Sequence, residues 1–483
     1  MVGIIAYGVY IPRYRLKRET IFQGMGWFNP GIKGVAKGEM AVANYDEDSL
    51  TMAVAGGENC FSEIAKNKVG AFYLASTTFP YKERGNAAIG NGALNLSPNG
   101  RTIDFCGSLR AGTSALISAF NEAGSQTTLV CASDCRLGKP GGTQEELYGD
   151  GAAAIVVGTD GVIAAMEGHC SFSYDFPDHR RIDGNKFNRV WEERWIREAG
   201  YGKMIPEAIH GLLSKHRLRI QDLAKVVYSP LSARDHADVG KSLGLTPDKI
   251  QAALVEEVGN TGCAHPLMML IGALEESKPG DKILVVSYGS GSDAILFHVT
   301  DKIKEVKNRA KLKSALEKKE ELKSYEKYLS FRGILPKEEG IRGEEIAPTS
   351  LSLQWREQKA ILRLVGSRCK ACGTPQFPQE RICINPDCGA LDQMEDYPFS
   401  DKRGRLFTYT GDNLTFSEDP PALYGIVDFE GGGRYWFDLT DCRLEALKIG
   451  QPVQMVFRRK YQDPARSLYG YFWKATPLRE KGE

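Results

Sequence analysis

The chain has 483 residues, 42% of them hydrophobic, enough for two to four packed domains. Its 62 Lys+Arg against 61 Asp+Glu leave a net charge of +1, which excludes a bulk field for nucleic acid or an acidic membrane, so any anion site is local. Met1–Tyr7 has no basic leader, and no apolar run approaches the roughly 18 residues of a membrane span, so a cytoplasmic protein is expected.

From residue 1 to about 300, short apolar runs alternate with longer amphipathic stretches, as in βα units. Val69–Ala75, Thr127–Ala132, Ala152–Val157 and Lys282–Ser287 read as buried strands. Leu129–Ser133 precedes Tyr148-Gly149-Asp150-Gly151, and Leu284–Ser287 precedes Tyr288-Gly289-Ser290-Gly291, the second turn following the first by 140 residues. A strand, a Gly-rich turn and another strand at that offset predict two similar halves, 1–160 and 161–300. Asp301–Lys327, rich in Lys and Glu, reads as a solvated helix opening a linker that runs to residue 349.

The eleven cysteines point to reduced thiols plus one metal site. Cys369 and Cys372, then Cys383 and Cys388, form two paired-Cys knuckles that can close a tetrahedral zinc site in a ribbon over 350–397. After it, Gly404–Thr410, Ala422–Asp428, Tyr435–Leu439, Pro452–Arg458 and Tyr469–Lys474 are β-rich runs, which predicts a small OB-type barrel over 398–483. Phe407, Tyr409, Tyr424, Tyr435, Trp436 and Phe437 read as barrel core, and Arg458, Arg459 and Lys460 as cations within reach of phosphates or as an exposed charge run.

Several motifs carry a family resemblance: Gly8–Arg15, Asp46–Ser49, Ala111-Gly112-Thr113, Val258–Thr261, Lys278–Asp281 leading into Tyr288–Gly291, and Phe331–Pro336. Together they resemble an archaeal-type hydroxymethylglutaryl-CoA synthase fused to a DUF35 zinc-ribbon/OB-fold module. The resemblance implies an α/β thiolase fold, a five-layered αβαβα duplication, with a coenzyme A thioester as substrate. It also implies a structural Zn2+, a homodimer and a possible partner enzyme of the same pathway.

Synthases of this kind use a Cys nucleophile, a His and a Glu, and here the matching positions hold Leu109, Ser229 and Thr77, while the asparagine is kept as Asn260. A leucine cannot carry an acyl group. Enolate chemistry on a hydroxyacyl-CoA, aldol or retro-aldol, needs no covalent intermediate and is the first expectation; it resembles the thiolase-fold aldolases of steroid side-chain degradation, which use tyrosine. The alternatives are a Claisen acyl transfer on a displaced thiol, Cys106, and a non-catalytic acyl-CoA-binding scaffold. The candidate site residues are therefore Asn260, His265, Tyr81, Tyr288 and Cys106, with Tyr148 equivalent to Tyr288 in the first half and His236 read as a helix-face histidine.

Overall fold

The computed structural model describes residues 1–124, 126–344 and 348–478; part of the expected linker and the last five residues of the barrel segment lie outside the described residues. The chain forms two compact units, one of residues 1–43, 48–91 and 96–332, the other of 333–483 together with 44–47 and 92–95.

The first unit is built on a nine-stranded sheet. Its strands are β1 (Gly3–Tyr10), β2 (Val69–Ala75), β3 (Arg101–Phe105), β4 (Thr127–Asp134), β5 (Gly151–Gly158), β6 (Ala164–Ser173), β7 (Lys225–Tyr228), β8 (Lys282–Tyr288) and β9 (Gly291–Val299). They lie in the order β7-β8-β9-β6-β1-β5-β4-β2-β3. Every residue of β5 is buried, because helices cover both faces and leave no position for a polar side chain.

The duplication is visible in the pairing. In one half β5 is antiparallel to both β4 and β1, with β2 parallel to β4; in the other β9 is antiparallel to both β8 and β6, with β7 parallel to β8. Tyr148-Gly149 and Tyr288-Gly289 thus stand at corresponding turns. Between the half-sheets lie the Ala111–Glu122 and His265–Glu276 helices, whose buried residues share one core with strands of both halves. Leu267–Leu274 is buried all round the helix, as a central layer requires. Outside the sheet, Ser49–Glu58 covers the first half, and Gly202–His216 and Ala233–Ser242 the second.

The stretch 301–327 is not one solvated helix. A 3-10 turn, the Lys311–Glu317 helix and a short strand at Glu320–Glu321 precede the Tyr325–Phe331 helix, and the strand pairs with Tyr14–Arg15. Lys311 is buried, its ammonium donating to the carbonyls of Tyr7 (2.9 Å) and Asn59 (2.6 Å). Burying Leu312, Leu322 and Tyr325 draws this segment back onto the body in spite of its charge.

In the second unit, Val365–Cys369 is flanked by Pro375–Gln376 and Met394–Pro398 in a three-stranded ribbon. The other sheet runs Arg434–Asp438, Ala422–Phe429, Arg403–Asp412, Pro452–Asp463, Leu468–Pro477, and a bridge between Leu439 and Ala475 draws its ends together into a nearly closed barrel. Phe437 is core, but Phe407 and Trp436 alternate outward and stay exposed. Arg458 is not available to phosphates: it is 1% exposed and bound by Asp441 (2.8 Å) and Glu47 (3.1 Å) of the same unit.

Candidate active site

The strand ends of the first unit converge on one buried carboxylate. Asp134, the last residue of β4, is 0% exposed. One oxygen accepts from the Thr77 N–H (2.7 Å), the Thr77 hydroxyl (2.9 Å) and the Ser76 hydroxyl (3.1 Å) just past β2, and the other from the Cys263 N–H (2.8 Å). Gly262 makes this approach possible: its φ is +64°, and a Cβ there would stand 2.1 Å from the carboxylate. Thr77, at the position where the resemblance expects a Glu, thus donates two hydrogen bonds to Asp134.

Asn260 closes the other side. Its Nδ2 donates to the Pro230 carbonyl (2.8 Å), next to Ser229, and its Oδ1 accepts from the Gly262 N–H (3.0 Å) and the Arg136 guanidinium (2.6 Å). Arg136 is 2% exposed, lies 4.0 Å over the Tyr148 ring and has no carboxylate partner among the described residues. It is a buried cation beside Asn260, an electrostatic setting that favours negative charge nearby.

Leu109 precedes the Ala111–Glu122 helix by one residue and packs on Gly289, where a Cβ would lie 3.0 Å from its own. Around it the Ser108 hydroxyl donates to the Gly289 carbonyl (2.7 Å), Arg110 pairs with Asp293 (3.1 Å), and the Thr113 and Ser114 hydroxyls donate to the same carboxylate (2.9 and 2.8 Å). The helix start meets the Asp134 network at Gly112, whose Cβ would touch the Cys263 carbonyl at 2.4 Å. Thr77, Asn260 and the Ser229–Pro230 strand end therefore belong to one hydrogen-bonded network, and the helix that follows Leu109 packs on it at Gly112.

Among the sequence candidates, Asn260 and Tyr288 lie in this network or beside it. Tyr288, 2% exposed, sits next to Gly289, and burial pushes its hydroxyl far above the usual tyrosine range. His265 is 1% exposed with Nδ1 against Thr261 and Nε2 against the Ala253 carbonyl (2.7 Å); burial pushes its imidazole down to about 4. That is the bonding of a structural histidine. His236 is buried rather than solvated, stacked on Tyr228 at 4.1 Å, and burial followed by the neighbouring His265 lowers it to about 4. Tyr81 accepts from Arg84 (2.9 Å) on the loop after Thr78. Cys106 is exposed in the loop after β3, whereas Cys263 and Cys135 are thiols that burial pushes up, Cys135 to about 12 and Cys263 well above the usual thiol range.

A hairpin absent from the sequence candidates completes the site. His179–Arg180 pairs with Arg189–Val190, the Arg181 guanidinium donates to the Thr77 carbonyl (2.7 Å), and the Asn188 N–H donates to the Leu137 carbonyl (3.0 Å). Asp178, 2% exposed, sits at its start, and His179 Nδ1 lies 3.1 Å from Asp178 Oδ2. Burial alone pushes Asp178 up, but His179 and the adjacent Tyr288 hold its carboxyl below the usual range. A π-turn at Ile196–Tyr201 follows, and its Gly200 leaves room for Tyr288: a Cβ there would meet the hydroxyl at 2.4 Å. Asp178 and His179 escaped the sequence reading because they sit in a polar hairpin without periodicity; the only signal was an Asp-His pair after Pro177.

In the second unit, the sulfurs of Cys369, Cys372, Cys383 and Cys388 all lie within 4.8 Å of one another, with Cys372–Cys383 at 3.5 Å and Cys369–Cys388 at 3.9 Å. A tetrahedral ion with sulfur ligands at about 2.3 Å needs sulfurs about 3.8 Å apart, so the four thiolates fit a structural zinc. Gly373 (φ +78°) and Gly389 (φ +56°) turn the chain after each knuckle.

Residues 356–395 match the family described as ChsH2, rubredoxin-like zinc ribbon domain, and 397–458 match ChsH2, C-terminal OB-fold domain. Residues 213–297 match the 3-oxoacyl-[acyl-carrier-protein] synthase III C-terminal family. The chain is 35% identical over 320 residues to a hydroxymethylglutaryl-CoA synthase of Methanopyrus kandleri, covering 64% of this chain and 91% of that protein. It is 32% identical over 342 residues to the synthase of Methanosphaera stadtmanae, covering 69% and 99%. A solved HMG-CoA synthase complexed with CoA superposes with a TM-score of 0.62 at 20% identity, covering 72% of this chain and 94% of that one, which supports the thiolase-like fold. No helix among the described residues is long and apolar enough to cross a membrane.

Proposed function

We propose that this chain, a member of the hydroxymethylglutaryl-CoA synthase family, condenses an acyl-CoA with a carbonyl compound in a synthase-like reaction, making the carbon–carbon bond at the thioester α-carbon. The relatives, which carry the synthase name, favour this reading over the aldol or retro-aldol reaction that Leu109 alone suggests. The observation behind it is the network joining Thr77 and Asn260, with the helix after Leu109 packed on it at Gly112 and the Arg136 cation beside Asn260, a fixed positive charge that would favour an enolate oxygen. In a synthase-type reaction with an acyl-enzyme, Cys106 is the candidate carrier, being an exposed thiol three residues before Leu109. The second reading, aldol chemistry with the enolate left on CoA, is favoured by Leu109 itself, since Cys135 and Cys263 are buried thiols with little thiolate to offer.

The two readings separate in one experiment. The full chain is incubated with acetyl-CoA and other short acyl-CoAs, quenched in acid and weighed intact, while products with added ketones are followed by mass spectrometry. An acyl adduct lost in Cys106→Ser, together with a condensation product, supports the synthase-type route. Condensation or cleavage without an adduct supports the aldol route, and no turnover across the panel leaves an acyl-CoA-binding scaffold. A homodimer and a partner enzyme remain part of the proposal, to be tested by light scattering and co-purification.

A further inference from the structure

We propose that His179 is the proton-transfer residue of this site, paired in charge with the adjacent Asp178 carboxylate and presenting Nε2 to the acyl-CoA. The inference rests on the enolate chemistry proposed above. Asp178 Oδ1 accepts the His179 backbone N–H at 2.8 Å, while Oδ2 stands 3.1 Å from Nδ1 without hydrogen-bond alignment, so the backbone bond holds the pair together and charge couples ring to carboxylate. A carboxylate beside an imidazole stabilises the imidazolium once the ring has taken a proton.

The place fits as well as the pairing. Two residues beyond His179, Arg181 is bonded to the Thr77 carbonyl, at the position where the resemblance expects a catalytic Glu. Behind Asp178 stands Tyr288, whose neighbour Gly289 packs on Leu109, where the nucleophile is expected. The dyad therefore bridges the two sites of lost chemistry. Nδ1 is buried and makes no hydrogen bond, while the His179 side chain keeps 16% exposure, so the open part of the ring lies away from Asp178. His265 has both ring nitrogens engaged, and His236 lies 4% exposed against Tyr228. Thr77 and Ser229 offer only hydroxyls, which are poor bases.

The step balances within the site. The Cα–H bond of the thioester breaks, its proton passes to His179 Nε2, and the electron pair moves into the thioester carbonyl to give the enolate. When the enolate carbon bonds to a carbonyl carbon, the carbonyl π pair becomes an alkoxide, which takes the proton back from Nε2. No other reactant is required.

The test follows α-proton exchange of acetyl-CoA and butyryl-CoA in D2O by NMR, which reads enolisation without any condensation partner. The unmodified chain exchanges the α-protons; His179→Ala slows exchange by roughly 100-fold or more, the usual worth of a positioned base. Added imidazole restores exchange to His179→Ala, and the isosteric His179→Gln is equally slow while binding CoA thioesters as the unmodified chain does. Rescue by imidazole is a response that a merely structural histidine would not give. Exchange within a few-fold of normal in either variant, or loss without rescue in a folded His179→Ala, overturns the assignment. No exchange by the unmodified chain overturns the enolate reading and the assignment with it.

Discussion

The carboxylate of Asp134 accepts from both the backbone N–H (2.7 Å) and the hydroxyl (2.9 Å) of Thr77, so the residue just past one strand end is anchored by an acidic partner on the neighbouring strand. Replacing Asp134 by Ala leaves the Thr77 and Cys263 N–H groups without their acceptor, at about 1–3 kcal/mol for each that stays buried. Chemical denaturation should show a loss of several kcal/mol, with Asp134→Asn losing less. A loss under 1 kcal/mol would mean that water replaces the carboxylate.

Gly200→Ala drives a methyl group toward the Tyr288 hydroxyl and the Phe176 ring, 2.4 and 2.5 Å from the new carbon. Overpacking of this kind costs about 1–3 kcal/mol. Tyr288 must shift against Asp178, so turnover should fall more than thermal stability does. Steady-state kinetics beside a melting curve compare the two.

His265 and His236 stay neutral in the folded chain down to about pH 4, whereas an unfolded histidine takes its proton near 6.5. Between those values the unfolded state binds more protons, so each histidine removes stability as the pH falls from about 6.5 toward 4, roughly 3 kcal/mol apiece at the lower end. Glu145 and Glu146 act oppositely: burial raises both to about 7, so their contribution is present below about 4.5 and is lost as the pH rises through 7. The histidine part is isolated in His265→Gln, whose denaturation midpoint should vary less between pH 6.5 and 5 than that of the unmodified chain. An unchanged slope would rule out this titration.

The sulfur cluster predicts one zinc per chain by elemental analysis and near-zero zinc in Cys383→Ser. Binding to such a site is itself folding energy. Chelation should therefore unfold the ribbon, visible as new protease cleavage around residues 365–398.

Leu109→Cys places a thiol one residue ahead of a helix N-terminus, where thiolates are stabilised. Intact mass after acetyl-CoA treatment should show an acyl adduct on the new cysteine. Failure to acylate would indicate that the thioester does not approach residue 109.

Much of the fold was legible because it is written in local patterns. Val69–Ala75 and Lys282–Tyr288 are apolar runs between turn residues, and a buried strand needs little more. The 140-residue echo is likewise a repeat of the chain, and the four zinc cysteines fall within 20 residues of sequence. The solvated helix over 301–327 failed because its charges dominate the count, while its few apolar side chains, Leu312, Leu322 and Tyr325, are buried and its Glu320–Glu321 strand pairs with the distant Tyr14–Arg15.

By itself, the sequence determined the β–α order, the duplication, the ribbon and barrel, and that Thr77, Leu109 and Ser229 stand where the resemblance expects Glu, Cys and His. Only the tertiary structure decided what those positions touch. It turned His265 from a candidate base into a doubly bonded core residue, and it set Asp178 and His179 beside Tyr288, 109 residues further along the chain from His179. Periodicity records which face of an element is buried. It carries nothing about which hairpin folds over which strand end, because those contacts join residues a hundred positions apart, and their hydrogen bonds and desolvation exist only once the chain has closed around them.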